Sequence, residues 1–235
     1  MGAVFRREFK SYFTNPIGYV VLAVLFCVSG YFFYIYNMYS GSANLTGVFG
    51  GLYTISLLTL PFLTMRLFSE EKRQKTDQAL LTAPTGLTGI VLGKFFAAML
   101  LFIVAVSITL VYAVIIAFQV TPDWLVLIGN YVGLLLLGGL IISIGVFISS
   151  LTESQIIAAI GTLAVSLLLM SVDVLSMIFS SISWITKVTD FLSISSRYGD
   201  FTSGLIQYDN ILFFLSLQAL FIFLTVRVLD SKRWN

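Results

Sequence analysis

Reactive side chains are scarce in this 235-residue chain, and that scarcity limits the chemistry it can do. Histidine is absent, so the usual general base and metal ligand are missing. Cys27 is the sole cysteine and lies inside an apolar run, which excludes a disulfide framework and a metal site built on His and Cys clusters. No serine sits in a Gly-x-Ser-x-Gly elbow, and no Gly-x-x-x-x-Gly-Lys-Ser/Thr loop is present to hold a nucleotide. What remains is charge. Arg66, Glu70, Glu71, Lys72, Arg73, Lys75, Asp77 and Lys94 are eight of the 24 charged residues (13 basic plus 11 acidic), gathered between Met65 and Lys94. About 55 charge-free residues precede this stretch and nearly 30 follow it. Such a set suits docking to a water-soluble partner rather than bond chemistry. The other isolated candidate is Asp173, a carboxylate within an apolar run. It reads either as an acid satisfied near the membrane interface or by a neighbouring helix, or as part of a substrate pathway or gate.

The elements that must position these residues follow from composition. At 58% hydrophobic and 10% charged, against about 45–50% and about 25% for a soluble domain, the chain cannot cover a water-facing surface and is an integral membrane protein. The net charge of +2 is too small to suggest nucleic acid. Val4, Phe5, Phe9, Tyr12 and Phe13 share one side of a helical wheel, with Arg6, Arg7 and Lys10 on the other. The pattern predicts a helix lying in the interface, its basic face toward anionic headgroups. The plainer reading is a basic flank that only sets orientation. Asn15-Pro16 then turns the chain into the bilayer.

Hydropathy predicts six spans, at about 17–36, 49–67, 95–118, 125–148, 156–179 and 211–228, each near the 20 residues that a hydrocarbon core of about 30 Å requires. The first is too long for a signal-peptide core and is retained, with an aromatic far end over Tyr31–Tyr39. Pro61 is expected to kink the second, and Gly129, Gly133, Gly139 and Ser143 to permit close contact by the fourth. Residues 180–209 keep apolar residues at near-helical spacing, which predicts short helices dipping into the outer leaflet before the sixth span. With both termini inside, 11 of the 13 Lys and Arg (6, 7, 10, 66, 72, 73, 75, 94, 227, 232, 233) are inside and only Lys187 and Arg197 outside, as the positive-inside rule demands. Six charges from Glu70 to Asp77 would cost on the order of 15–20 kcal/mol at mid-bilayer, so this segment is expected in water. Within it Thr76 is placed to cap a two-turn helix ending at Ala83, with Asp77 at its positive end, Leu80 and Leu81 as an apolar patch, and Pro84 as the stop.

The run Phe68-Ser-Glu-Glu-Lys-Arg-Gln-Lys-Thr-Asp-Gln-Ala-Leu-Leu-Thr-Ala-Pro84, followed by Ile90-Val-Leu-Gly-Lys94, resembles the signature of permease subunits of type-2 ABC exporters. Glu70, Glu71, Arg73, Thr76, Leu80, Leu81, Ala83, Pro84, Gly93 and Lys94 carry the match; Lys75 stands where the family usually has Gly. The stretches Ser195–Gly204 and Leu229–Trp234 are most similar to the compact gliding-motility-type branch. The resemblance implies an all-α permease of six spans in a bacterial plasma membrane, both termini cytoplasmic, paired with a second permease, identical or related. It implies cytoplasmic ATPase subunits that hold the ATP and Mg, with no cofactor and no catalysis in this chain. The ATPases would grip Glu70–Pro84 as a coupling helix, steadied by the elbow residues Phe5, Arg6, Arg7, Phe9 and Lys10. A membrane-anchored extracytoplasmic subunit would touch Arg197, Tyr198 and Asp200. The cargo would be hydrophobic or amphipathic. The competing reading from the residues alone is a six-span scaffold or assembly factor that transports nothing; a membrane enzyme is disfavoured by the missing catalytic groups.

Overall fold

Asn15 has extended backbone (φ −105°, ψ 150°), because the proline that follows disfavours helical geometry in the residue before it. It therefore separates helix α1, Gly2–Thr14, from α2, Pro16–Phe33, which Pro16 opens at the position where its missing N–H is harmless. These are the first elements of a computed structural model that describes residues 1–76, 86–172 and 193–234, all of its regular structure helical. A π-helical turn, Tyr34–Tyr39, extends α2 to its far end, where Tyr31, Tyr34, Tyr36 and Tyr39 are exposed. There the buried Asn37 donates from Nδ2 to the carbonyls of Ser42 (2.6 Å) and Asn44 (3.2 Å), pinning the loop.

Helix α3, Thr46–Thr64, starts three residues earlier than hydropathy places it and runs unbroken through Pro61. A turn leads to the short α4, Ser69–Arg73, whose acids (Glu70, Glu71) lie in its first turn and whose bases (Lys72, Arg73) lie in its last, matching the helix dipole. The third apolar stretch is divided at Ser107 into α5, Leu87–Val106, and α6, Ile108–Ala117. Because α5 begins at Leu87, Lys94 lies about two turns inside it. The helix of the span expected at 95–118 thus begins earlier than hydropathy places it. Helix α7, Trp124–Leu151, follows the outer turn; the Asp123 carboxylate accepts from the backbone N–H of Leu125 at its start. Next come α8, Gln155–Met170, α9, Ile194–Thr202, and α10, Tyr208–Trp234.

Five helical stretches among the described residues are long and apolar enough to cross a membrane: Pro16–Tyr39, Thr46–Arg73, Leu87–Ala117, Trp124–Leu151 and Tyr208–Ser231. The fifth expected span is represented by α8, whose 16 residues reach about 24 Å, short of the hydrocarbon core. The end of that expected span, from Asp173 on, lies outside the described residues, as do residues 180–192 of the region expected to dip into the outer leaflet. Helix α7 is the most enclosed and packs against α3, α5, α8, α9 and α10. Its small residues allow this. A Cβ on Gly138 would stand 2.0 Å from a ring carbon of Phe102 on α5, and one on Gly145 would stand 2.0 Å from the Thr64 hydroxyl on α3. Gly129 and Gly133 face Phe201 of α9, and Gly139 faces Gln218 of α10, which donates from Nε2 to the Leu136 carbonyl (2.9 Å).

Candidate functional site

The charged segment does not stand free in water. Lys94 is 1% exposed, and its ammonium donates to Glu8 Oε1 at 3.1 Å and the Leu67 carbonyl at 2.6 Å and forms an ion pair with Glu71 Oε1 at 2.9 Å. It also sits 5.0 Å above the ring of Phe68. Arg7 closes the arrangement from the other side, with Nη2 2.6 Å from both Glu8 Oε1 and Glu71 Oε1. Two acids and two bases thus form a neutral ring joining α1, α4 and α5. Neutrality is what allows the burial. A lone ammonium there would be strongly disfavoured, whereas one ringed by carboxylates and a carbonyl is satisfied. Arg66 and Glu70 add an ion pair at 2.7 Å beside it.

Protonation follows the same geometry. Burial pushes the Glu8 carboxyl up, but the Lys94 charge and the hydrogen bonds from Arg7 and Lys94 outweigh it and hold Glu8 below its ordinary range. For Arg7, partial burial works against the cation while its bonds to Glu8 and Glu71 favour it, and the guanidinium stays charged. Tyr12 is fully enclosed beside the ring, and burial raises its phenol. These groups border a cleft of about 370 Å³ that also takes in Arg66, Gln74 and Thr76.

Further bonds fasten α4 to the end of α7. Phe68, at the start of α4, has no side chain able to cap it, and Ser149 supplies the cap from α7: its Oγ accepts from the N–H of Phe68 (2.8 Å) and of Ser69 (3.2 Å). Lys72 is buried and donates to the Ser150 carbonyl. The expectation of a solvated approach over Glu70–Lys75 is therefore corrected for Glu71 and Lys72, which non-local partners draw inside; Arg73 and Lys75 remain exposed. The helix that Thr76 is expected to cap lies outside the described residues; Thr76 itself ends the turn that follows α4. Its N–H (2.9 Å) and hydroxyl (3.2 Å) both bond back to the Glu71 carbonyl, closing α4. Lys75 between them has φ 56°, the left-handed geometry that glycine adopts most readily. Asp77, Leu80, Leu81, Ala83 and Pro84 lie outside the described residues.

The elbow residues divide as their types dictate. Phe5 and Phe9 stack (6.1 Å between centroids) and are half-buried on the bundle side, while Arg6 and Lys10 are exposed. Arg7 is also exposed, but its guanidinium reaches Glu8 and Glu71 to join the ring. On the opposite side of the molecule, Arg197 and Asp200 are tied through Asn210, which accepts from Arg197 Nη1 and donates to Asp200 Oδ2, each at 2.8 Å. Tyr198 is 6% exposed and pairs with Tyr53 (4.7 Å), so the expectation that it meets a partner subunit is corrected: the apolar face of α9 turns its ring inward. Sequence reasoning missed Glu8 and the burial of Lys94. Their isolation was a signal, since Glu8 is the only acid before Glu70 and Lys94 the only charge between Asp77 and Asp123.

Among the described residues no group of His, Cys, Asp or Glu is arranged to hold a metal ion. Several helices long and apolar enough to cross a bilayer, with a charged segment clamped between helices by ion pairs, are those of a multi-pass membrane protein. Residues 37–235 match the family model described as ABC-2 family transporter protein, and the chain belongs to that family. It is a membrane permease subunit of an ABC transporter, a family that works with ATPase subunits. No curated protein matches the chain.

Proposed function

We propose that this chain is the membrane half of an exporter whose ATPase docks on the segment following α4, from Thr76 to Ala83. The observation that carries the reading is the Lys94–Glu71–Glu8–Arg7 ring with the Ser149 cap. A push delivered just after α4 reaches α1, α5 and α7 through packed, hydrogen-bonded contacts rather than through a slack loop. In this reading α4 and both termini are cytoplasmic, and the chain crosses the membrane six times, α8 belonging to the fifth span expected at 156–179. A second permease chain, identical or related, completes the pathway in a bacterial plasma membrane. ATP and Mg belong to the ATPase, and the cargo is hydrophobic or amphipathic, exported or acted on mechanically. An extracytoplasmic subunit would meet the outer surface near Arg197 and Asp200, and Asp173 would serve the pathway or its gate.

The test replaces Leu80 and Leu81 with Asp in the permease reconstituted with its ATPase. Loss of transport with ATP hydrolysis retained and the permease folded supports the reading. Full transport refutes it, and failure of any ATP-binding subunit to copurify in mild detergent favours a scaffold.

A further inference from the structure

Between α1 and α5 runs an open groove of about 890 Å³, lined by Phe5, Phe9 and Leu100 together with Arg6, Arg7 and Lys10. Its two ends differ in chemistry. The basic residues sit on the exposed side of α1. Leu100, six residues beyond the ion-paired Lys94, lies about 9 Å further along α5. Arg7 is engaged with Glu8 and Glu71, but Arg6 and Lys10 form no ion pair with an acid among the described residues. Their i,i+4 spacing sets two like charges side by side on one helix face, an arrangement that repels unless an anion lies between them.

We infer that this groove binds one anionic phospholipid, its phosphate held by Arg6 and Lys10 and an acyl chain lying over Phe5, Phe9 and Leu100. The apolar floor separates a lipid from a soluble anion, since a free phosphate gains nothing from the phenyl rings and leucine. Arg6 and Lys10, without an acid partner among the described residues, separate an anionic lipid from a zwitterionic one, whose own ammonium competes for the phosphate. The lipid fills the seam between the interfacial helix and the third apolar stretch, and its binding is independent of any ATPase.

Native mass spectrometry of the purified permease tests this, with phosphatidylglycerol, phosphatidylcholine and inorganic phosphate titrated separately. The expected result is one phosphatidylglycerol retained per chain in preference to phosphatidylcholine. Arg6→Gln with Lys10→Gln should weaken retention by about 30-fold, the loss of two surface cations. Leu100→Trp, which fills the floor and leaves the charges in place, should also displace the lipid while circular dichroism shows the helices intact. Equal retention of the two lipids, retention unchanged in the double variant, displacement by excess inorganic phosphate, or a second copy of the chain in place of the lipid would each overturn the proposal.

Discussion

Replacing Lys94 with Met keeps an unbranched side chain of similar length and removes the charge at the centre of the inner ring. Glu8 and Glu71, with side chains 13% and 15% exposed, would then face each other across a site that has lost its buried cation. Taking one partner from a buried ion pair typically costs about 3–5 kcal/mol, whereas an exposed pair contributes about 0–1. Arg7 still touches both acids, but its side chain is 55% exposed and partly screened, which places the expected loss near 3 kcal/mol. In a chain of this length that is a fall in melting temperature of about 6–12 °C, measurable by thermal unfolding in detergent or nanodiscs. Glu8→Gln and Glu71→Gln added to Lys94→Met should recover most of the loss, because the uncompensated acids are then gone. The pH dependence has a definite sign. In the intact protein Glu8 is held below its ordinary 4.5, so its contribution is complete above the unfolded carboxylate range and disappears as pH falls through the lower folded value. In the Lys94→Met variant burial is no longer offset by that charge and the carboxyl rises, so the penalty should be smaller near pH 5 than near pH 8. A loss below about 1 kcal/mol, with no pH dependence, would refute the reasoning that the ring is a buried, mutually dependent unit.

Two further substitutions probe the packing and the backbone. Gly145→Ala forces a Cβ against Thr64 and should destabilise by about 1–3 kcal/mol, whereas Gly50→Ala, which meets nothing within 4 Å, should be neutral or slightly stabilising; equal shifts in the two melting curves would contradict the close approach of α3 and α7. Lys75→Gly relieves a left-handed residue and should raise stability by up to about 1 kcal/mol in the same assay, with a decrease counting against the assigned backbone.

Much of the framework was legible in the amino-acid order because it depends on local chemistry. Long apolar runs must be helices in a bilayer, where every backbone polar group needs an internal partner. Asn15-Pro16 had to divide α1 from α2, since the proline ring acts on its immediate neighbour. The alternation of Phe5 and Phe9 with Arg6 and Lys10 made α1 amphipathic before any contact was known. Hydropathy misplaced the start of the third apolar stretch for a related reason: it treats Lys94 as a boundary, because a lysine read alone belongs in water.

Tertiary structure decided the rest. Whether Lys94 is exposed or buried depends on Glu8, 86 positions away, and on Glu71, neither of which a local window includes. The start of α4 depends on Ser149, 80 or more positions distant, for the cap that Phe68 cannot supply. Tyr198 points inward because α7, α8 and Tyr53 stand on one side of α9, not because of its sequence neighbours. The sequence by itself determined which segments leave water and which charges must find partners, since both follow from transfer free energies of single residues. Which charges meet is set by how the helices pack, because an ion pair is fixed by distance in space rather than separation along the chain.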